Sequence, residues 1–295
     1  KLVTADFGIP GYQANLSSLK SEFSSYPNKT WTQTVYWSWL HSLRAIVSPK
    51  DRHYPFFMRG ESWKIKSLLT ALASWSELRH DTILYSKQSG AEMGEGEEEV
   101  PPKPPQPKSY VEPDLEFFNR FVLLVEQTGT TLSKHSLLSG EYLRKFSLFL
   151  DRLLKLREIV RKEVLNSEIS GDEYEMLMSF SRDISSIVLP EQAGDIIDDK
   201  YKQMALVADV HTDFFSNRVL EVAVGIPQRI YVAVKDRSGA SRVCVGFVYS
   251  YYEFAQPMNA RLTDDEWKKN FYPSKASGIE EKEPAWIDQL RVPSR

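Results

Sequence analysis

Residues 74–88 read Ser-Trp-Ser-Glu-Leu-Arg-His-Asp-Thr-Ile-Leu-Tyr-Ser-Lys-Gln, and they set Glu77, Arg79, His80 and Asp81 among large apolar side chains. Ile65, Leu68, Leu69, Leu72, Trp75 and Ile83 recur at helical spacing, which predicts one helix over residues 61–88 with these on one face. Arg79 falls in the middle of that face, His80 on its edge, and Glu77 and Asp81 further round, one turn apart. A guanidinium on a core-facing stripe is costly unless it meets a carboxylate, and its planar fork favours two-point pairing. The fold must therefore bring acidic partners to this helix from elsewhere in the chain.

The rest of the chain divides by periodicity. Leu16, Leu19 and Phe23 predict a helix over 12–26, ended by Pro27. Val35, Trp39, Leu43 and Ile46, widened by Trp31, Tyr36, Trp37 and Leu40, predict a single buried helix over 30–47. Pro113 and Asp114 suit the first turn of a helix running to about 129. Residues 139–165 form the longest amphipathic pattern, with Lys and Arg on a solvated face. Ser170 and Glu173 make a capping box for a helix to 188. Between these helices, residues 90–108 are acidic and then proline-rich, which cannot bury apolar surface and predicts an exposed loop.

After residue 203 the pattern changes to alternation. Residues 206–213 alternate apolar and polar, and 229–234 with 242–254 form a hairpin around the turn at 236–241. Thr263 and Glu266 form a second capping box before Trp267, and Trp286 lies in a polar tail. The expected fold is mainly α (α+β) and a single domain over 1–295. It has a helical core over 11–188 and a β-containing part over 203–272 with a small antiparallel hairpin or sheet.

Composition narrows the function classes. Net charge is −3 and the basic residues are spread along the chain, so no nucleic-acid partner is expected. The single cysteine, Cys244, excludes an intrachain disulfide and a cysteine-based zinc site. No apolar run approaches the ~18 residues that span a bilayer, so no integral membrane segment is expected.

Two constellations could carry chemistry. In a strand, Asp209, His211 and Asp213 would point to one face, and with His80 they are candidate ligands for a divalent metal. The alternative is that these carboxylates neutralise Arg79 and cap nearby backbone. Glu77, His80, Glu112 and Glu253 are candidate general acids or bases, set against the favoured reading of satisfied structural groups. Arg79, Asp81 and Glu112 form the expected binding or structural network. No zinc-protease helix, nucleophile elbow or phosphate-binding glycine loop is present.

Residues 74–88, Tyr110-Val111-Glu112-Pro113, residues 207–213, Tyr251-Tyr252-Glu253-Phe254 and residues 261–267 occur in one order, and this set resembles the C-terminal part of the domain-of-unknown-function 3160 family of prokaryotes. The resemblance implies a longer parent protein, exported or lipid-anchored, whose upstream N-terminal part would be a partner of this chain. It implies no activity, ligand or cofactor. Two functions are carried forward: a binding or structural module with an internal charged network, and a metal-assisted hydrolase acting on a peptide or glycan. If Arg79 makes a buried ion pair, Arg79→Ala should cost on the order of 3–5 kcal/mol in a denaturant titration.

Overall fold

Helical periodicity fills the first two thirds of the chain. The computed structural model describes residues 10–82, 108–188, 203–235, 239–272 and 282–291. Helix α1 (Tyr12–Ser25) is followed by α2 (Asn28–Trp31), α3 (Val35–Val47), a 3-10 turn at Phe56–Arg59 and α4 (Glu61–Thr82). Helices α5 (Leu115–Lys134), α6 (Gly140–Val164) and α7 (Gly171–Val188) come next. Strands β1 (Leu206–Asp213), β2 (Arg218–Val224), β3 (Gln228–Lys235), β4 (Ser241–Val248) and β5 (Tyr252–Pro257) precede the short α8 (Asp264–Lys268) and a 3-10 turn at Ala285–Leu290. The protein is α+β, with small antiparallel sheets near its C-terminal end. Among the described residues no helix is long and apolar enough to cross a membrane.

Several expected elements form as their caps require. Ser170 and Glu173 cap α7 reciprocally, with Ser170 N donating to Glu173 at 2.7 Å and Glu173 N to Ser170 at 3.2 Å. Thr263 and Glu266 do the same for α8. Asp114 caps α5 by accepting from Phe117 N at 3.2 Å. The expected helix over 30–47 is instead two. Thr34 leaves helical geometry and caps α3 by accepting from Trp37 N, so a local side-chain bond outcompetes continuation. The break folds Trp31 back on Trp37, ring centroids 5.2 Å apart, and places it against His41. His41 is a core residue, its pKa lowered to about 4 by burial and by Arg120 and Arg44.

Helix α4 ends, within the described residues, at Thr82, and residues 83–88 lie outside them. The expected loop over 90–108 also lies outside them, except for Lys108. The single apolar face predicted for α4 is a misplacement. Leu68 is exposed, whereas Trp63, Lys66, Ser67, Leu69, Ala71, Ala73, Ser76 and Leu78 are buried. These lie around much of the helix because α4 is covered on two sides. Ala71 packs with Leu43 and Ile46 of α3. Leu69 and Ala73 pack with Ala208, Val222, Val224, Tyr251 and Ile287. Small residues there let the neighbours approach closely. Trp75 joins both clusters.

The sheet behind α4 has order β1-β2-β5, all antiparallel, with β2 at its centre. Strand β2 was not expected from the sequence. Its run Val-Leu-Glu-Val-Ala-Val lacks polar alternation because both faces are covered. Val222 and Val224 face α4, while Ala223 packs with Tyr252, Trp267 and Phe271 on the other side. Trp267 is fully buried and its Nε1–H donates to Val224 O at 2.7 Å. The segment expected as one strand over 242–254 is divided. β4 pairs with β3 in a separate two-stranded sheet, and β5 joins β2. Trp286 docks beside Tyr251.

Helices α5 and α6 pack through Phe118, Val122, Val125, Leu153, Leu156 and Val160, with Met176, Leu177 and Phe180 of α7 against them. The basic face of α6 is not wholly solvated, since Lys145 is buried and pairs with Glu141 at 2.9 Å. Residues 108–114 strap these helices to the rest. Asp114 pairs with Lys50 at 2.5 Å, Glu112 with Lys66, and Val111 N donates to Glu163 at 3.3 Å.

The approach of Phe271, just after α8, to Gly225, just after β2, yields a test. A Cβ added at Gly225 would lie 2.6 Å from Phe271 Cε1, and that ring is held by Tyr252 and Trp267. Gly225→Ala is expected to destabilise the protein by about 1–3 kcal/mol. A urea titration should show a lower midpoint at unchanged slope; an unchanged midpoint would contradict the packing described.

Candidate functional site

The last two turns of α4 project Glu77, Arg79 and His80 toward the C-terminal elements, with Asp81 beside His80. His80 lies between two carboxylates: its Nε2 is 2.9 Å from Asp264 Oδ2 and its Nδ1 is 3.2 Å from Asp81 Oδ1. Asp264 is the first residue of α8, and its other oxygen accepts from Val207 N of β1 at 3.0 Å. One side chain thus links α4, α8 and β1. The Asp264 hydrogen bond is the main cause that raises the His80 pKa above its ordinary value, against burial. Burial works to raise the Asp264 carboxyl, but the His80 and Val207 bonds outweigh it and leave that pKa lowered.

Glu77 is mostly buried and faces the Tyr249 hydroxyl. Burial, with the nearby Asp81 charge, pushes its pKa up to about 7, opposed by Tyr249 and His80. Tyr249 is raised in turn, by burial and by Glu77. Asp81 is exposed.

Among the described residues Arg79 does not find the carboxylate expected for it. Its Nε donates to the backbone carbonyl of Asp209 at 3.3 Å. The Asp209 side chain pairs instead with Arg261 at 2.9 Å, and Arg261 also donates to Thr212 Oγ1 at 2.5 Å. Glu112 is likewise not a partner of Arg79: it pairs with Lys66 and accepts from Trp63 Nε1 at 3.2 Å. Beside this cluster, Glu221 of β2 is fully buried and accepts from Leu262 N at 3.0 Å and from Gln256.

The candidate metal ligands do not converge. The β1–β2 register shifts between Asp209 and His211, a bulge that leaves Val210 unmatched and breaks the two-residue alternation. His211 is exposed. Asp213 turns into the β1–β2 connection, accepting from Phe215 N at 3.0 Å and Ser216 Oγ at 2.6 Å. Among the described residues no group of three or more His, Cys, Asp or Glu is placed to hold a metal ion. Glu253 is exposed and accepts from Tyr251 at 2.8 Å rather than lining a cleft. A cleft of about 360 Å³ lies elsewhere, bordered by Leu132, Tyr142, Lys145, Phe149 and Ile187, and none of the candidate residues lines it.

Tyr249, Asp264, Arg261 and Glu221 are the members that sequence reasoning missed. Arg261 and Asp264 lie in one of the five segments that carried the family resemblance, which was the available signal for them. Tyr249 and Glu221 gave none, because an apolar run hid one and an unrecognised strand the other.

Residues 2–287 match the family described as "Protein of unknown function (DUF3160)". The chain belongs to that family. No curated protein and no solved structure matches the chain. In this DUF3160 chain, segments 74–82, 207–213 and 261–267 meet through His80, Asp264, Arg79 and Asp209.

The titration behaviour of the cluster has a definite sign. Unfolded, Glu77 ionises near 4.5, whereas folded it holds its proton to about 7. Its stabilising contribution is therefore present below about 4.5 and is lost as pH rises through 7, on the order of 2–3 kcal/mol in all. His80 acts in the same direction, its contribution present below its ordinary value of 6.5 and lost as pH rises through its higher folded value. Glu77→Gln, which keeps an acceptor for Tyr249, should match wild type near pH 4.5 and exceed it in stability by roughly 2–3 kcal/mol at pH 8. Parallel pH profiles for the two proteins would contradict the assignment. Arg79→Ala should cost about 1–2 kcal/mol, as for one hydrogen bond from a charged donor, rather than the 3–5 of a buried ion pair.

Proposed function

We propose that this chain is a binding or structural module of an exported protein, and that its charged cluster is an internal network joining the helical part to the β-containing part. One observation carries this reading. Each inward polar side chain at the end of α4 meets a different C-terminal element: Glu77 meets Tyr249, Arg79 meets the Asp209 carbonyl, and His80 meets Asp264. Groups so engaged serve one another, and His80 between two carboxylates is poised to hold three elements together rather than to act on a substrate. The alternative, metal-assisted hydrolysis of a peptide or glycan, needs Asp209, His211, Asp213 and His80 to converge. Asp209 is paired with Arg261, Asp213 with Ser216 and His80 with Asp264.

A double-mutant cycle tests the proposal. His80→Ala and Asp264→Asn, the latter keeping an acceptor for Val207 N–H, should show a coupling of roughly 1–2 kcal/mol at pH 6 in denaturant titrations. That coupling should fall as pH rises past the folded pKa of His80. Additive effects, or stoichiometric metal that elemental analysis finds in wild type and not in His80→Ala, would overturn it.

A further inference from the structure

In a hairpin with one solvated face, inward residues are apolar and outward ones polar. The β3–β4 hairpin breaks that rule. β4 reads Ser-Arg-Val-Cys-Val-Gly-Phe-Val, and its outward positions Val243, Val245 and Phe247 are 65 %, 60 % and 67 % exposed. Tyr231 of β3, directly opposite Val245, is 60 % exposed. The inward face is covered, with Val234 buried and Val232, Cys244 and Val248 half-buried. A strand apolar on both faces is the pattern of a sheet covered on both sides, as β2 in this same chain shows. Among the described residues only one side is covered here, and a contiguous exposed apolar surface of this kind marks a contact site.

The charges on the face specify the partner. Arg229, at an outward position, stands opposite Phe247, and Lys235 stands opposite Ser241 at the far end of the ladder, its Nζ 6.0 Å from the centre of the Phe56 ring. Both are exposed, and no Asp or Glu occupies an outward position of either strand. The surface is thus an apolar centre with cations at both ends. Among the described residues of this face, a second copy of the chain would bring the same cations and no carboxylate to meet them. An extended segment lying along the flat ladder would set alternate side chains onto Tyr231, Val245 and Phe247. We propose that this face docks an extended partner segment, apolar at its centre and acidic at both ends.

This inference draws only on the binding half of the function proposed above. Loss of the His80–Asp264 coupling with peptide binding intact would remove the network and leave the docking face. The probe is a fluorescein-labelled synthetic peptide with alternating Val and Phe, flanked by Glu at both ends, compared with the same peptide flanked by Lys. By fluorescence anisotropy the Glu peptide should bind wild type at least tenfold more tightly, and more weakly as salt is raised. Arg229→Glu with Lys235→Glu should reverse the preference. Val245→Thr with Phe247→Thr should abolish binding at unchanged melting temperature, since both side chains lie outside the core. Absence of binding or equal affinity for the two peptides would overturn the proposal. So would a wild-type dimer in sedimentation velocity that Phe247→Thr converts to monomer, because the face would then be self-complementary.

Discussion

The packing of α4 between α3 and the β1-β2-β5 sheet is the contact on which the rest of the structure depends. Leu69 and Ala73 are almost inaccessible and meet β1 and β2, while Ala71 meets α3. Alanine at two of these three positions permits helix and sheet to approach closely on opposite sides. Trp75 contributes to both clusters. With α8 and Phe271 on the far face of the sheet, β2 becomes a central strand covered on both sides. The order of layers then follows: α3, α4, sheet, α8.

Polar groups join these layers at both ends of α4. The His80–Asp264–Val207 chain closes the end of α4 against α8 and β1. The strap at residues 108–114 does the same at the other end of α4, through Glu112 on Lys66 and Trp63 and Asp114 on Lys50. The two sets hold different partners. One secures the β-containing part, the other secures α5–α7. Asp114 both caps α5 and anchors the strap, so a single carboxylate starts a helix and positions it.

Much of the helical part was legible in the sequence, because a capping box is a local signal whose bonds form within four residues. Ser170 with Glu173 and Thr263 with Glu266 are cases of this. The α2–α3 break was not legible, since the single cap bond of Thr34 is set against a strongly apolar periodicity and outweighs it. β2 was missed for the reason that makes it central: coverage on both faces erases alternation, and Glu221 within it suggests exposure where the strand is most buried. The β4–β5 division rests on which sheet each strand joins, which no local pattern records. The candidate site was half visible. Unusual density of ionisable residues at 77–81 pointed to the right helix, and partner assignment failed where the acceptor was a backbone carbonyl. The candidate metal ligands are set apart by a one-residue bulge, which composition cannot show.

The central claim is that α4 and the sheet behind it form one cooperative unit held by both packing and the His80 link. Native-state hydrogen exchange measures this directly at pH 6. The account predicts that amides of Leu69 and Ala73 in α4 and of Val222 and Val224 in β2 exchange with one shared opening free energy, and that His80→Ala lowers all four by the same amount. Exchange of the β2 amides at a distinctly lower free energy, with α4 still protected and His80→Ala without effect on either, would contradict it.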